Sequence, residues 1–216
     1  MIETIAGTSL AGKYDAQYRH WVERQGPRAL DIGWRLRHLL WRQRVLIRRF
    51  RPERKRVLDY GCMDGVFTIR LQQLGAQAVG YDISPMAIAQ AERFRGAAEQ
   101  PTFTTVVPGP GQFDLVYCNE VLEHVDDDSA LVGELMKLLA PGGMLVGTTP
   151  VGRAFWDPDH KRFYDDASLE RALARWGSVK IRRYYRTPLR NLIPIRQKGA
   201  SVFIFSVRPP SPRDAR

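Results

Sequence analysis

Residues 57–65, with the sequence VLDYGCMDG, constrain the fold of this chain more than any other segment. An apolar pair is followed by Asp59 and by two glycines, Gly61 and Gly65, and residues 66–71 then read as the opening of a helix. A buried strand that turns through glycines into a helix lets backbone N–H groups approach a ligand, because no Cβ atom stands in the way. The segment therefore predicts a strand, a ligand-binding loop and a helix.

A second acidic residue, Asp82, follows Gly65 by 17 residues and ends another short apolar run. An acid about 20 residues beyond such a loop is placed to accept hydrogen bonds from both hydroxyls of a ribose. The loop spacing, Asp-x-Gly-x-x-x-Gly, differs from the Gly-x-Gly-x-x-Gly of dinucleotide sites. An acid at the head of the loop suits the cationic amino group of a methionine moiety and repels a diphosphate. The predicted ligand is a nucleoside that carries such a group.

Two later segments narrow the interpretation. Residues 113–125, FDLVYCNEVLEHV, read as a buried strand that breaks into a helical turn, and residues 138–150, LLAPGGMLVGTTP, as a turn that leads into another buried strand. With 57–65 and 78–82, these four segments resemble the class I S-adenosylmethionine-dependent methyltransferases across about residues 55–207. The stretches NEVLEHVDD and LAPGGMLVGTTP look like the branch with ubiquinone-biosynthesis O-methyltransferases and small sugar or natural-product methyltransferases.

The resemblance implies S-adenosylmethionine as the cofactor and transfer of its methyl group to an acceptor hydroxyl. Its motifs place the cofactor on eight residues: Asp59, Gly61, Cys62, Gly65, Asp82, Ile83, Asn119 and Glu120. This sequence departs from the family pattern at two points. Met63 stands where the family loop usually has a small residue, and residues 102–112 lack the acid that often follows the third strand.

Strand and helix patterns alternate along the chain, which predicts parallel pairing with right-handed crossovers and ligands at the carboxyl ends of the strands. The predicted class is α/β, a Rossmann-like, doubly wound, mostly parallel seven-stranded sheet. The resemblance makes the last strand antiparallel and inserts it between its two predecessors. Predicted strands are 55–60, 77–82, 102–107, 113–118, 143–149, 178–186 and 200–207, and predicted helices are 13–25, 30–50, 65–74, 85–98, 127–140 and 166–175.

The predicted organisation has three parts. Residues 1–50 form an N-terminal arm and helical cap, 51–207 the methyltransferase domain, and 208–216 a disordered tail rich in proline and charge. No apolar run approaches the roughly 20 residues of a membrane span, and residues 1–15 lack a secretory pattern. Cys62 and Cys118 are expected to be small buried thiols, as in a reducing cytosol. We expect a cytoplasmic protein, with peripheral contact at the inner membrane surface as an alternative.

Candidate catalytic groups follow the fourth and fifth strands. Glu120, Glu123 and His124 are spaced i, i+3 and i+4, which makes them neighbours on a helical turn, and His160 is expected to face the same cleft. Two carboxylates and two imidazoles can hold a divalent cation such as Mg²⁺. Ubiquinone-biosynthesis O-methyltransferases carry a Glu-x-x-Glu-His metal motif, and small-RNA 2′-O-methyltransferases add a later histidine. Alternatively the motif caps a helix or contacts the cofactor, and His124 or His160 is the general base.

The charge of the chain indicates an anionic partner. Lys and Arg number 33 against 23 Asp and Glu, a net charge of +10, and the excess is concentrated in residues 35–56 and 180–198. We expect a polar or anionic small molecule or glycan as the acceptor. RNA 2′-O-methylation and a non-catalytic S-adenosylmethionine-fold scaffold are alternatives. The long connection 186–199 is predicted to roof the acceptor pocket, with an anionic group bound by one of four residues: Arg186, Arg190, Arg196 and Lys198.

Overall fold

The computed structural model describes residues 9–155, 157–185 and 201–210. Within these ranges, seven strands form one sheet in the order β3-β2-β1-β4-β5-β7-β6. They are β1 Arg56–Tyr60, β2 Gln77–Tyr81, β3 Thr102–Thr104, β4 Phe113–Asn119, β5 Leu139–Pro150, β6 Ser178–Tyr185 and β7 Ser201–Arg208. The pairs β1–β2, β2–β3 and β4–β5 are parallel, and β7 pairs antiparallel with both β5 and β6. The predicted mostly parallel sheet, with its last strand inserted between the two preceding ones, is confirmed.

Seven α-helices accompany the sheet in the described part of the chain. They are α1 Leu10–Gln25, α2 Ile32–Arg37, α3 Trp41–Phe50, α4 Val66–Gln73, α5 Pro85–Arg95, α6 Asp128–Lys137 and α7 Asp166–Ala174. None of the helices among the described residues is both long and apolar enough to cross a bilayer. Cys62 and Cys118 are buried and form no disulfide, as expected.

The chain divides into two compact units. The first comprises Met1–Leu40 and Pro52–Pro108, and the second comprises Trp41–Arg51 and Gly109–Arg216. In the first unit, Phe103 of β3 packs so closely on the loop after β1 that a Cβ atom added at Gly65 would lie 2.5 Å from its ring. In the second unit, the aromatic rings of Phe203 and Phe205 on β7 are fully buried in the core.

The predicted single helix over residues 30–50 is wrong. Residues Gly26–Leu30 form a 3-10 helix, and α2 and α3 are separate helices. At the end of α2, the carbonyl oxygen of Trp34 accepts a hydrogen bond from the His38 amide at 2.9 Å and also lies 2.7 Å from the His38 ring nitrogen Nδ1. Between the two helices, Leu39 is buried whereas Leu40 is 46% exposed.

Other predicted bounds shift by a few residues. The strand expected over 102–107 ends at Thr104, because the Thr104 hydroxyl accepts a hydrogen bond from the Val106 amide at 2.9 Å and turns the backbone away. The helix expected over 85–98 ends at Arg95, since Gly96 adopts a φ of +68° at its C-terminal cap. The fifth strand begins at Leu139, earlier than residue 143 as predicted.

Candidate active site

In the first unit, the backbone of residues 59–65, which are the end of β1 and the loop that follows it, passes through the left-handed region three times. Gly61, Met63 and Gly65 have φ values of +76°, +54° and +74°. This conformation is sterically strained for methionine, whereas glycine adopts it without strain. The departure from the family pattern at Met63 thus falls on a strained backbone position.

The backbone N–H groups of this loop are already engaged within the chain. Those of Gly61 and Cys62 donate to the carbonyl oxygen of Tyr81 at 2.8 and 2.9 Å, and that of Gly65 donates to Cys62 at 3.0 Å. The expectation that these N–H groups face a ligand is therefore not met. The loop instead carries acidic side chains, which suits a cationic ligand.

Asp82 lies directly after β2 and is held by two backbone amides. Its Oδ2 accepts from the Met63 amide at 2.8 Å and its Oδ1 from the Ser84 amide at 2.9 Å. Each carboxylate oxygen can accept more than one hydrogen bond, so the group is oriented and keeps capacity for two ribose hydroxyls. Burial raises the pKa of Asp82. Ile83 is half-buried between the two tethered positions.

Asp59 is an almost fully buried carboxyl group, with 2% of its surface exposed. The Thr68 hydroxyl on α4 donates to its Oδ2 at 2.7 Å. Burial raises the pKa of Asp59 to about 7, although the Thr68 hydrogen bond opposes the rise and Asp82 adds to it. Asp59 therefore changes charge near neutral pH, where binding of a cation would favour the ionised form.

Residues of the N-terminal helices also contact the loop, and the sequence did not single them out. Arg35 of α2 forms an ion pair with the buried Asp64, and the Tyr18 hydroxyl of α1 donates to the same carboxylate at 3.4 Å. The Arg35 guanidinium also lies 4.7 Å from the centre of the Trp21 ring. Asp64 belongs to the VLDYGCMDG segment, but no periodicity links it to an arginine 29 residues earlier.

Asp15 of α1 connects the N-terminal helical cap, through hydrogen bonds, to the residues that follow Asp82. Its Oδ1 accepts hydrogen bonds from the Ser84 hydroxyl at 2.5 Å and from the Met86 amide at 2.9 Å, at the start of α5. Because the Ser84 amide also donates to Asp82, the cap and the predicted ribose acceptor share one hydrogen-bonded turn.

In the second unit, Asn119 ends β4 with an unsatisfied side chain. Both polar atoms of its amide are buried and have no hydrogen-bond partner among the described residues. Buried polar groups are normally paired, because an unmade hydrogen bond costs about 1–3 kcal/mol. A polar ligand at the end of β4 would supply the missing partners, and the predicted cofactor residue Asn119 therefore fits such a group.

Glu120 is directed toward other protein groups. It adopts a φ of +55°, and its amide donates to the carbonyl oxygen of Thr148 at 2.9 Å. Its Oε1 accepts from the Thr148 hydroxyl at 2.7 Å, and its Oε2 lies 3.5 Å from the guanidinium of Arg42 on α3. Arg42 also stacks over Phe155 at 5.6 Å from the ring centre.

Three of the four predicted metal ligands are brought together. Side-chain ligand atoms of Glu123, His124 and His160 lie within 4.8 Å of one another, and Glu120 is not in this group. We call these three residues the Glu-His-His cluster. Glu120 is excluded because the backbone enters the left-handed region there and residues 122–124 form a 3-10 helix. The predicted i, i+3, i+4 α-helical geometry is therefore absent.

The Glu-His-His cluster has unsatisfied atoms. Glu123 is 1% exposed, and its Oε2 accepts from the Thr149 hydroxyl at 3.0 Å. Its Oε1 and the Nδ1 of His124 are buried and have no hydrogen-bond partner among the described residues. Burial, and then the charge of Glu120, raises the pKa of Glu123 well above its usual range. Burial, and then His160, lowers the pKa of His124 and favours the neutral imidazole.

These atoms fit a bound divalent cation. A cation would satisfy the orphaned oxygen and nitrogen and would favour the ionised form of Glu123. Imidazole nitrogens suit zinc, iron or similar transition metals better than they suit magnesium, which prefers oxygen ligands. The donor set therefore favours a transition metal over the Mg²⁺ that we expected. The predicted acceptor-binding residues Arg186, Arg190, Arg196 and Lys198 lie outside the described residues.

Comparison with known proteins agrees with this geometry. A family model described as a methyltransferase domain matches residues 18–192. The ubiquinone biosynthesis O-methyltransferase of Psychrobacter cryohalolentis is 36% identical over 107 residues, which cover 44% of this chain and 40% of that protein. The Pseudomonas fluorescens enzyme of the same name is 34% identical over 102 residues, covering 44% of each chain. The chain thus matches less than half the length of these curated relatives.

Solved structures show the same fold at low sequence identity. A Pyrococcus horikoshii protein has a TM-score of 0.65 at 15% identity, covering 88% of this chain and 99% of its own. Magnesium protoporphyrin IX methyltransferase from Synechocystis, solved with bound S-adenosylmethionine, has a TM-score of 0.64 at 19% identity, covering 95% and 100%. Because the family model spans most of the chain and solved methyltransferase structures share its fold, this protein belongs to the class I S-adenosylmethionine-dependent methyltransferase family.

Proposed function

We propose that this protein transfers the methyl group of S-adenosylmethionine to a hydroxyl of a polar or anionic small molecule or glycan. The observation that carries the choice of an oxygen acceptor is the Glu-His-His cluster, whose buried atoms Glu123 Oε1 and His124 Nδ1 have no hydrogen-bond partner among the described residues. A hydroxyl is a poor nucleophile until its proton is removed or its oxygen is polarised. The relatives named O-methyltransferases support the same choice.

S-adenosylmethionine supplies the methyl group on a positively charged sulfur. In the first unit, Asp82 is oriented by the Met63 and Ser84 amides to accept the ribose hydroxyls. Asp59, in the same unit, supplies negative charge for the amino group of the methionine moiety. Alignment of the reacting atoms is the main contribution that these residues make to the rate.

A divalent cation would be held by Glu123, His124 and His160. Bound there, it would polarise the acceptor oxygen and lower the pKa of the acceptor hydroxyl. In the absence of a cation, Nδ1 of His124 can accept the hydroxyl proton itself, because burial lowers the pKa of His124 and so keeps the imidazole neutral. Thr149 keeps Glu123 oriented in both cases.

RNA 2′-O-methylation is a second candidate. Two observations support it: His160 lies close to Glu123 and His124, where the small-RNA enzymes carry their later histidine, and the net charge of +10 favours a polyanion. A turnover screen with radiolabelled S-adenosylmethionine and separate pools of quinone precursors, glycans, nucleotide sugars and short RNAs tests both proposals. Label in RNA alone would refute the small-molecule assignment.

A non-catalytic scaffold is a third candidate, suggested by the strained Met63. Isothermal titration with S-adenosylmethionine separates it from both enzymes, because a scaffold that has lost the cofactor site produces no binding heat. Cytoplasmic location and peripheral membrane contact remain predictions, which fractionation of cells that express the protein would test.

Cofactor affinity is expected to increase with pH between about 5.5 and 8. Burial raises the pKa of Asp59 to about 7, so this carboxyl is protonated at the lower pH and must ionise to pair with the ligand's amino group. The affinity should fall up to tenfold for each unit below that pKa. Titration calorimetry across this range, in buffers of different ionisation enthalpy, measures both the affinity and the released proton.

Two variants complete the pH experiment. Asp59→Asn should remove the dependence, and Thr68→Val should move it to higher pH because the ionised carboxylate loses a hydrogen bond of 2.7 Å. An affinity that stays constant from pH 5.5 to 8 in the unmodified protein would contradict the pairing of Asp59 with a cation.

A further inference from the structure

We propose that Arg162 is a positioning residue that holds His160 in the Glu-His-His cluster. Its guanidinium fastens the segment 157–165, which carries His160, to the segment 122–128, which carries Glu123 and His124. The position of His160 depends on contacts within the protein and does not require a bound cation. Its consequence for cation binding rests on the proposed function, and the experiment below separates the two.

The guanidinium of Arg162 bridges one stretch of backbone and one carboxylate. Its Nη2 donates to the carbonyl oxygens of Val125 and Asp126 at 2.7 and 2.5 Å. Its Nη1 lies 2.5 Å from Oδ1 of Asp128, in an ion pair whose two side chains are 25% and 15% exposed. A planar guanidinium can make these contacts at once, whereas the single ammonium of a lysine cannot reproduce their geometry.

The carboxylate of Asp128 is held by three groups: the Arg162 guanidinium, the Tyr164 hydroxyl and the Ser129 amide. The Tyr164 hydroxyl donates to its Oδ2 at 2.6 Å, and the Ser129 amide donates to its Oδ1 at 2.8 Å. The residue lies in the first turn of α6, where a negative charge is stabilised by the helix dipole. Partial burial opposes ionisation, yet the hydrogen bonds from Arg162 and Tyr164 leave the pKa of Asp128 below its usual value. Arg162 therefore binds to a rigid, charged partner.

Backbone hydrogen bonds next to Arg162 fix the position of His160. The Lys161 amide donates to the Glu123 carbonyl oxygen at 2.7 Å, and the His160 amide closes a turn on the carbonyl oxygen of Asp157 at 3.1 Å. The His160 and His124 rings meet with their centres 4.7 Å apart at 76°. His160 is thus held between a local turn and two anchored residues, Lys161 and Arg162.

The arrangement matters because the cluster draws on two chain segments. Glu123 and His124 are adjacent in sequence, whereas His160 is the one member from the second segment. The three side chains can bind one cation together only while the two segments keep the same position relative to each other. Removal of groups that orient metal ligands typically lowers metal affinity by 10–100-fold.

The test compares Arg162→Ala and Arg162→Lys with Arg183→Ala. Arg183 is a suitable control because it also forms an ion pair with an aspartate of the second unit. Its partner is Asp166 on α7, at 2.6 Å, and not Asp128. Nuclear magnetic resonance would report the cross-peak between the ring protons of His124 and His160, and hydrogen exchange of the Lys161 amide. We expect both Arg162 variants to weaken the cross-peak and to accelerate the exchange at least tenfold, and Arg183→Ala to leave both unchanged.

Titration with Mn²⁺, followed by electron paramagnetic resonance, adds the second measurement. Affinity should fall about 10–100-fold in the Arg162 variants and stay the same in Arg183→Ala. An intact cross-peak and an unchanged Lys161 exchange rate in Arg162→Lys and in Asp128→Asn would overturn the proposal, even if Arg162→Ala fails to fold. If the unmodified protein binds no Mn²⁺ and no Zn²⁺, the metal part of the proposed function fails, while the cross-peak still decides the positioning role.

Discussion

The variant Asp82→Ala is expected to lower the affinity for S-adenosylmethionine about 100-fold or more. The side chain would lose two charge-assisted hydrogen bonds to the ribose, each worth about 1.5–3 kcal/mol, and about 1.4 kcal/mol corresponds to a factor of ten. It would also release the Met63 amide, which the carboxylate holds at 2.8 Å. Isothermal titration with S-adenosylmethionine and with its demethylated product measures the loss.

Asp165→Ala is the matched control for this experiment. Asp165 also accepts a hydrogen bond from a backbone amide, that of Ser168 at 2.7 Å. Unlike Asp82, however, Asp165 caps the N-terminus of α7. We expect it to lower the thermal stability and to leave cofactor affinity unchanged. Wild-type affinity in a folded Asp82→Ala protein would refute the assignment of Asp82 as the ribose acceptor.

Removal of divalent cations is expected to abolish methyl transfer, with an effect as large as the variant Glu123→Gln. A neutral amide cannot replace the carboxylate as a strong cation ligand, and Glu123 Oε1 is one of the unsatisfied buried atoms. Activity toward whichever acceptor emerges from the turnover screen would be measured after dialysis against a chelator. Zn²⁺, Mn²⁺ and Mg²⁺ would then be added back separately, and we expect a transition metal to restore more activity than Mg²⁺.

Glu134→Gln provides the control for the charge change. Glu134 is exposed on α6, where it pairs with Lys137 at 2.7 Å, so its loss should change neither activity nor metal dependence. Full turnover in excess chelator would rule out a catalytic cation. His124 and His160 would then be the candidate bases, and the variants His124→Ala and His160→Ala would identify which one acts.

The backbone geometry around the proposed nucleoside site could be predicted from the sequence to a large degree. Gly61, Gly65 and Asp82 are constrained by local chemistry, since a sharp strand-to-helix turn needs left-handed residues and an acid after the next strand lies at the same sheet edge. The structure places all three as this logic requires, and Asp82 contacts the loop through the Met63 amide. The helix break at His38 escaped prediction because residues 34–50 contain no glycine or proline that would mark the end of a helix.

The sequence by itself determined the alternation of strands and helices from β1 onward, the glycine loop and the acid after β2, because these depend on hydrophobic period and on residues close together in the chain. Only the tertiary structure decided which charges pair: Arg35 with Asp64, Arg42 with Glu120, and Arg162 with Asp128. It also decided that Glu120 lies outside the cluster while His160 lies within it. Such pairings join segments distant in sequence, and the crossover connections and loop conformations that bring them together leave no periodic trace in the residues themselves.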